Sequence, residues 1–240
     1  MAKAKRLCAA LFLAWALAGC ATSGGNPADP LEPLNRVVFS FNDTADKAVI
    51  TPVARAYRAV LPGIVRTGVS NFFSNLEDIW ISVNDVLQGK FQQGVEDFTR
   101  VLFNSTFGIA GVFDFASDVG LQKHNEDFGQ TLGWWGVGSG AYLVLPILGP
   151  STIRDGFGLL LDTRADLVFY IDGVPVHNSL YGTRAISNRA NLLDASSVID
   201  QAALDKYAFV RDAWLQRRRN LVYDGNPPRE REEPDDEPTK

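Results

Sequence analysis

The chain has 240 residues, of which 46% are hydrophobic and 21% charged, and its 23 basic and 28 acidic side chains give a net charge of −5 at pH 7. This composition excludes a chain that is disordered over most of its length, and the acidic balance excludes a basic nucleic-acid-binding protein. With only two cysteines and two histidines, thiol and metal chemistry are not expected.

Residues 1–19 are predicted to be a secretory signal peptide. Lys3, Lys5 and Arg6 precede an apolar run of ten residues, 8–17, which is too short for a stable membrane anchor. The run ends in Leu-Ala-Gly-Cys, which resembles the bacterial lipobox, where cleavage precedes a lipid-modified cysteine. Cys20 is therefore predicted to carry the lipid. The alternative is an ordinary small residue beside an ordinary cleavage site.

Two polar segments flank the predicted folded domain, which spans residues 30–223. Removal of the signal leaves 20 basic and 28 acidic residues, a net charge of −8, and Cys20 begins a lipidated tether, 20–29. Residues 224–240 contain seven acidic residues, three basic residues and four prolines, and no large apolar side chain. Such a tail is predicted to be disordered.

Four segments show the three- and four-residue apolar spacing of amphipathic helices: 34–49, 66–88, 91–106 and 204–219. Pro52 is expected to end or bend the first of them. The second also has a polar face, which is either solvated or turned toward a polar interior, formed by Ser70, Ser74, Asn75, Glu77, Asp78, Asn84 and Asp85.

The middle of the chain is rich in glycine and short apolar pieces, such as 111–115 and 140–149. These pieces are too short to cross about 30 Å of hydrocarbon as helices. We interpret them as short helices lying in one leaflet, with Trp134 and Trp135 at the headgroup level. The alternative is a set of buried helices in a soluble protein.

Several motifs in one order resemble the MlaA/VacJ family of outer-membrane lipoproteins. They run from about residue 29 to 219 and include Asp29-Pro-Leu-Glu-Pro-Leu-Asn-Arg36, Asn71-Phe-Phe-Ser-Asn-Leu76, Asp127-Phe-Gly-Gln-Thr-Leu-Gly133, Gly149-Pro-Ser151, Arg154-Asp155 and Arg211-Asp-Ala-Trp214. Between residues 156 and 206 the pattern is weak. The resemblance implies an all-α, ring-shaped bundle of short amphipathic and interfacial helices, embedded in one leaflet.

The resemblance also implies a function. Such a protein lies in the outer membrane of a Gram-negative bacterium, lipid-anchored on the periplasmic side and beside a trimeric porin. It removes phospholipids that have strayed into the outer leaflet and passes them to a soluble periplasmic carrier. Neither a cofactor nor a nucleic acid is implied. A structural lipoprotein scaffold without a lipid passage is the alternative.

Three sets of residues are candidates for this function. Arg154 and Asp155 are predicted to line a polar lipid passage, because a paired arginine can attract a phosphate without remaining an unpaired buried charge. Gly108 and Gly111 are predicted to form a hinge. A third set, predicted to contact a porin or the interface, consists of Trp134, Trp135, Gly136 and Gly138.

Enzymatic activity is not predicted. Ser139 lies between two glycines, but a nucleophile elbow needs glycines at 137 and 141, where valine and alanine stand. His124 and His177 lack ligand-spaced partners in the sequence, so they are predicted to be surface or hydrogen-bonded loop residues rather than metal ligands.

Overall fold

The computed structural model describes residues 26–228. The predicted signal peptide, Cys20, the tether up to residue 25 and the tail from residue 229 lie outside the described residues. The described elements, in chain order, are α1 (Glu32–Ala45), a π-helical turn (Asp46–Ile50), α2 (Thr51–Val60), α3 (Gly63–Leu87), α4 (Phe91–Thr106), α5 (Phe115–Asp118), α6 (Phe128–Trp134), β1 (Tyr142–Leu145), β2 (Gly149–Thr152), α7 (Ile153–Ala165), a 3₁₀ turn (Leu167–Tyr170), α8 (Val174–Asn191), α9 (Leu193–Ala202) and α10 (Lys206–Val222).

The predicted helical fold is confirmed, and the amphipathic segments are its main helices. α4 has the predicted bounds, and α3 begins three residues before the predicted helix and ends one residue before its end. Pro52 does not end the first helix. It lies in the first turn of α2, directly after the π-helical turn, and the chain stays helical through this point.

The segment 140–149 is a β-hairpin, so the prediction of short helices there is wrong. Tyr142 and Val144 are buried while Leu143 and Leu145 are only half-buried, which is the two-residue period of a strand. Strand β1 pairs antiparallel with β2, and Tyr142 lies opposite Thr152. Pro146 interrupts helical hydrogen bonding in this segment, and the left-handed backbone at Gly149 suits the return of the chain.

The elements form a closed circuit of neighbours. α3 packs on α8, α8 on α2, and α2 is joined through the π-helical turn to α1, which packs on β1. The hairpin then contacts α7 through β2, α7 packs on α6, and α6 returns to α3. This circuit encloses the interior of the molecule. None of the helices within residues 26–228 is both long enough and apolar enough to cross a membrane.

A small apolar core closes this circuit where the two ends of the described chain meet. Tyr142, Val144 and Tyr207 are buried together, and α1 packs against them. The Asn35 side chain donates to the Tyr142 carbonyl at 3.0 Å and accepts from the Val144 N–H at 2.9 Å. Asp29 accepts hydrogen bonds from Asn35 and from the Tyr207 hydroxyl. Two residues of the Asp29–Arg36 motif thus fasten the hairpin and α10 to the start of the domain.

Candidate functional site

The polarity of the described residues is inverted relative to a water-soluble protein. Twenty-one of the buried residues are polar or charged and eleven are apolar, whereas forty large apolar side chains are exposed. Soluble proteins bury most of their large apolar side chains and seldom bury charges. An exterior of this kind is suited to hydrocarbon, and an interior of this kind is suited to polar ligands.

The pair of adjacent helices α3 and α4 shows the apolar exterior most clearly. Its exposed side chains include Val86, Phe91, Val95 and Phe98. Where α3 is joined to α4, Trp134 and Trp135 are about half-exposed, at 48% and 52%. The Trp135 Nε1 donates to the Leu87 carbonyl at 3.0 Å, and the Lys90 Nζ lies 5.2 Å from the centroid of the Trp134 ring. Two tryptophans with a polar partner at the edge of an apolar surface are typical of a membrane interface.

The predicted polar face of α3 turns inward over most of its length. Asn75, Asp78, Asn84 and Asp85 are buried. Ser70 and Ser74 are half-buried, and Glu77 is exposed. The buried residues meet polar side chains of α4, the segment before α6 and α6 itself: Asn75 donates to Ser105 at 3.0 Å, and Asn84 accepts from Thr131 at 2.7 Å. The four buried polar residues of this helix therefore belong to the interior of the circuit.

A cavity of about 340 Å³ opens in this interior. Its walls come from α3, from α7, from α8 and from the segment that precedes α6. They carry five carboxyl groups and one guanidinium, those of Glu77, Glu126, Asp127, Asp162, Asp166 and Arg184. We call this space the acidic cavity. Its volume lies within the range of small-molecule binding sites.

The charged groups of the acidic cavity are held by specific contacts. Asp162 accepts from the Trp80 Nε1 at 2.7 Å and from the Phe128 N–H at 2.9 Å, and burial raises the pKa of its carboxyl. Arg184 binds Asp166 at 2.5 Å and approaches Glu77 at 3.5 Å, while its Nε has no hydrogen-bond partner among the described residues. The cavity therefore offers carboxylates together with one guanidinium.

The predicted passage pair, Arg154 and Asp155, lies beside the acidic cavity and is not part of its wall. Both residues are 8% exposed, and the Arg154 guanidinium binds Asp155 at 2.9 Å. Thr152 and Asp155 cap the start of α7 through reciprocal hydrogen bonds. Arg218 of α10 binds Asp155 at 2.9 Å and also binds Asp127, which does line the cavity. The pair is thus one residue removed from the cavity wall, and its role in the passage stays a prediction.

The predicted hinge glycines lie in a tightly packed turn after α4. A Cβ at Gly108 would stand 2.1 Å from the Phe113 carbonyl oxygen, and Gly111 has a φ of +88° with its Cα facing Asn75. The Gly111 N–H donates to the Asn104 carbonyl at 2.9 Å. Close approach of the backbone requires glycine at both positions. Movement about this turn stays a prediction.

The predicted contact glycines are on an open surface. No described atom lies within 4 Å of a Cβ built at Gly136 or Gly138. Gly136 has a φ of +89°, which favours glycine, whereas neither packing nor a positive φ requires glycine at Gly138. Both are exposed beside Trp134 and Trp135. The location is compatible with a contact to lipid or protein.

Sequence analysis missed two important cavity residues, Asp162 and Arg184. Both lie between residues 156 and 206, where the family pattern is weak. α8 has a nearly even distribution of polar and apolar residues, so periodicity did not mark Arg184 as facing inward. Glu77 was identified on the polar face of α3, but its approach to Arg184 depends on the packing of α8.

Comparison with known proteins agrees with this architecture. The family described as MlaA lipoprotein matches residues 27–221. The chain belongs to this family. It is 37% identical over 216 residues to the intermembrane phospholipid transport system lipoprotein MlaA of Shigella flexneri and to that of Escherichia coli K12, covering 87% of this chain and 85% of each relative.

Other MlaA proteins share most of the chain. The lipoprotein of the same description from Haemophilus influenzae is 32% identical over 232 residues, covering 93% of this chain and 92% of the relative. A solved chain from work on the structural basis for maintenance of bacterial outer membrane lipid asymmetry superposes with a TM-score of 0.72 at 35% identity, covering 81% of this chain and 98% of the solved chain. The helical circuit is therefore the fold of the MlaA family.

Proposed function

We propose that this chain is a lipoprotein of the outer membrane that transports phospholipid and so maintains the lipid asymmetry of that membrane. It takes phospholipids that have strayed into the outer leaflet and passes their headgroups through its polar interior to a periplasmic carrier. The observation that carries the proposal is the inverted polarity, a charged cavity inside an exterior of exposed apolar side chains. The names of the MlaA relatives and of the solved chain support the same process.

The physical problem is the headgroup. Exposed polar groups cost several kcal/mol each in hydrocarbon, and an isolated charge costs far more. The acidic cavity supplies what a zwitterionic headgroup needs: carboxylates at Glu77 and Asp162 for the ammonium, and the guanidinium of Arg184 for the phosphate. The acyl chains can remain against the apolar exterior. Transfer of this kind needs neither bond chemistry nor a cofactor, so the proposal includes no enzymatic step.

The location and partners follow from the same surfaces. A lipid on Cys20 holds the domain at the membrane, since two or more acyl chains anchor stably where one does not. The open surface at Gly136 and Gly138, beside Trp134 and Trp135, is where we place contact with a trimeric porin. Arg154 and Asp155 extend the charged lining, and Gly108 and Gly111 allow it to move.

Two tryptophan substitutions on one helix test the cavity as the route. Leu159 of α7 lines the acidic cavity, whereas its neighbour Leu160 is 64% exposed on the exterior. Leu159→Trp should raise the amount of outer-leaflet phospholipid toward that of a strain lacking the protein, because the indole fills the passage. Leu160→Trp should leave that amount unchanged. Outer-leaflet aminophospholipid is measured by labelling intact cells with an amine reagent that does not cross membranes.

Membrane abundance of both variants is measured in the same cells, so that loss of protein is distinguished from loss of transport. Equal, wild-type levels of surface phospholipid in the two variants at equal abundance would favour the structural scaffold, for which a filled cavity has no consequence.

A further inference from the structure

A second cluster of charged residues lies deeper in the molecule, between α3, α4 and the segment that leads into α6. It consists of Asp85, Asp97 and His124, and one ligand atom from each lies within 4.8 Å of the other two. Both aspartates have no exposed surface, and the His124 side chain is 19% exposed. None of the three residues lines the acidic cavity.

The contacts of this cluster leave one carboxyl without a donor. Asp97 is satisfied by His124, through the ring Nδ1 at 2.7 Å and the backbone N–H at 3.3 Å. Neither oxygen of Asp85 accepts a hydrogen bond from any described residue. A fully buried carboxylate with no partner is strongly unfavourable, so this group needs either a proton or a cation.

The nearby basic side chains are engaged with other acids. Lys90 binds Glu126 at 3.0 Å and Asp224 at 2.6 Å, and Lys123 binds Asp78. Neither ammonium donates a hydrogen bond to the Asp85 carboxyl.

A second unsatisfied oxygen lies at the end of the same helix. Gln88 is the C-cap residue of α3 and follows Asp85 by three residues. The Gln88 Nε2 donates to Glu126 and Thr131, while its buried Oε1 accepts no hydrogen bond from the described residues. The buried side-chain oxygens of Asp85 and Gln88 therefore both lack a donor among the described residues.

We propose that Asp85, Asp97 and His124 bind one divalent metal ion of the first transition row, with Zn²⁺ the best fit. Carboxylate oxygen and imidazole nitrogen are the ligands that Zn²⁺ accepts at about 2.0–2.2 Å. At such bond lengths tetrahedral ligand atoms stand about 3.4 Å apart, so small side-chain rotations bring the present cluster to that spacing. Gln88 or water completes the coordination. The ion neutralises the two carboxylates, which otherwise have to share a proton.

Sequence spacing gave no indication of this site, because Asp97 and His124 are 27 residues apart and on different elements. An ion at this position ties α3 and α4 to the segment that continues into α6, and α6 carries Gln130 on the wall of the acidic cavity. The inference concerns the resting protein and does not depend on lipid transport.

Metal binding is tested on the full lipidated chain, purified in detergent and treated with a chelator that is then removed. Equilibrium dialysis against Zn²⁺ followed by elemental analysis should give one ion per chain. The melting temperature should rise by about 5–10 °C at a hundredfold excess of free metal over Kd. Co²⁺ in place of Zn²⁺ should produce absorption bands characteristic of a nitrogen ligand.

Matched variants assign the ion to the cluster. His124→Gln and Asp85→Asn should each abolish the equivalent of bound Zn²⁺ and the thermal shift. His177→Gln alters the other histidine, which lies on α8 beside Tyr181. Asp118→Asn alters an exposed aspartate. Both control variants should bind Zn²⁺ like the wild type. If Asp85→Asn does not fold, His124→Gln and the Co²⁺ spectrum of the wild type decide the question.

Two results would overturn the proposal. One is the absence of a stoichiometric ion and of a thermal shift in the wild type, which would mean that Asp85 and Asp97 share a proton. The other is full metal uptake by His124→Gln, which would place the ion elsewhere.

Discussion

Replacing Arg218 by methionine removes a cation that joins two helices through their carboxylates. The Arg218 guanidinium on α10 binds Asp127 through both terminal nitrogens and binds Asp155 of α7 at 2.9 Å. The side chain is 12% exposed. Methionine keeps much of the apolar stem but supplies no donor, so the two acids lose a shared partner.

The expected cost follows from what the two carboxylates retain. Breaking a buried ion pair by removing one partner costs about 3–5 kcal/mol. Here Asp155 keeps Arg154 at 2.9 Å, and Asp127 keeps the Gln130 N–H at 2.9 Å and is about one-third exposed. We therefore expect a loss of about 2–3 kcal/mol, which corresponds to a fall in Tm of roughly 5–10 °C for a domain of this size.

Thermal unfolding of the purified chain in detergent, followed by circular dichroism, measures this fall. The matched control is Arg217→Met, because Arg217 is the exposed neighbour on the same helix. A difference of less than about 2 °C between the two variants at pH 7 would refute the view that this cluster stabilises the fold.

The pH dependence has a definite sign. Burial alone would raise the pKa of Asp127, but the hydrogen bonds from Arg218 outweigh it and hold that pKa below its usual value. A lowered pKa stabilises the fold at pH values above the unfolded-state value, about 3.9, and this stabilisation is lost as the pH falls through the folded-state pKa. The gap in Tm between Arg218→Met and Arg217→Met should therefore narrow below about pH 4.

Three further results are expected. Cys20→Ala should leave the precursor uncleaved or misplaced, and mass analysis of the extracted wild-type protein should show an N-terminus at lipid-modified Cys20; any other start contradicts the prediction. Photo-crosslinkers at Gly136 or Gly138 should capture a porin subunit in intact cells, whereas capture only from Lys206 would place the contact elsewhere. Gly158→Ala should lower stability by about 2–3 kcal/mol, because its Cβ would stand 2.4 Å from a backbone nitrogen of α6. Gly156→Ala should not lower it, because the nearest described atom to its Cβ is 3.8 Å away. Equal Tm values for the two variants would refute this expectation.

The elements that could be predicted from the sequence are those whose pattern is local. The bounds of α3 and α4 follow from apolar side chains three and four residues apart, which require no knowledge of what the helices pack against. The hairpin at 142–152 was missed because its apolar residues are nearly continuous, and a short continuous apolar run does not distinguish a strand from a buried helix.

The contacts that build the interior could not be predicted because their partners are distant in the chain. Asp29 meets Tyr207 across 178 residues, and Trp80 meets Asp162 across 82 residues. The motif around Asp29 was identified from its resemblance to a family, yet its structural role became clear only from the packing of α10. Arg184 carried no local signal, since α8 has no strongly apolar face.

Position relative to the acidic cavity separates buried charges that hold the fold from charges available to a ligand. Arg100 binds Asp114 at 2.9 Å, donates to Ser117 and the Leu121 carbonyl, and does not line the cavity. Arg184 lines the acidic cavity and binds Asp166. In a medium of low dielectric, a guanidinium on the cavity wall attracts the phosphate of an incoming headgroup. A passage must also release what it binds, so Arg184, whose charge is already partly balanced by Asp166, meets both requirements better than an unpaired arginine would.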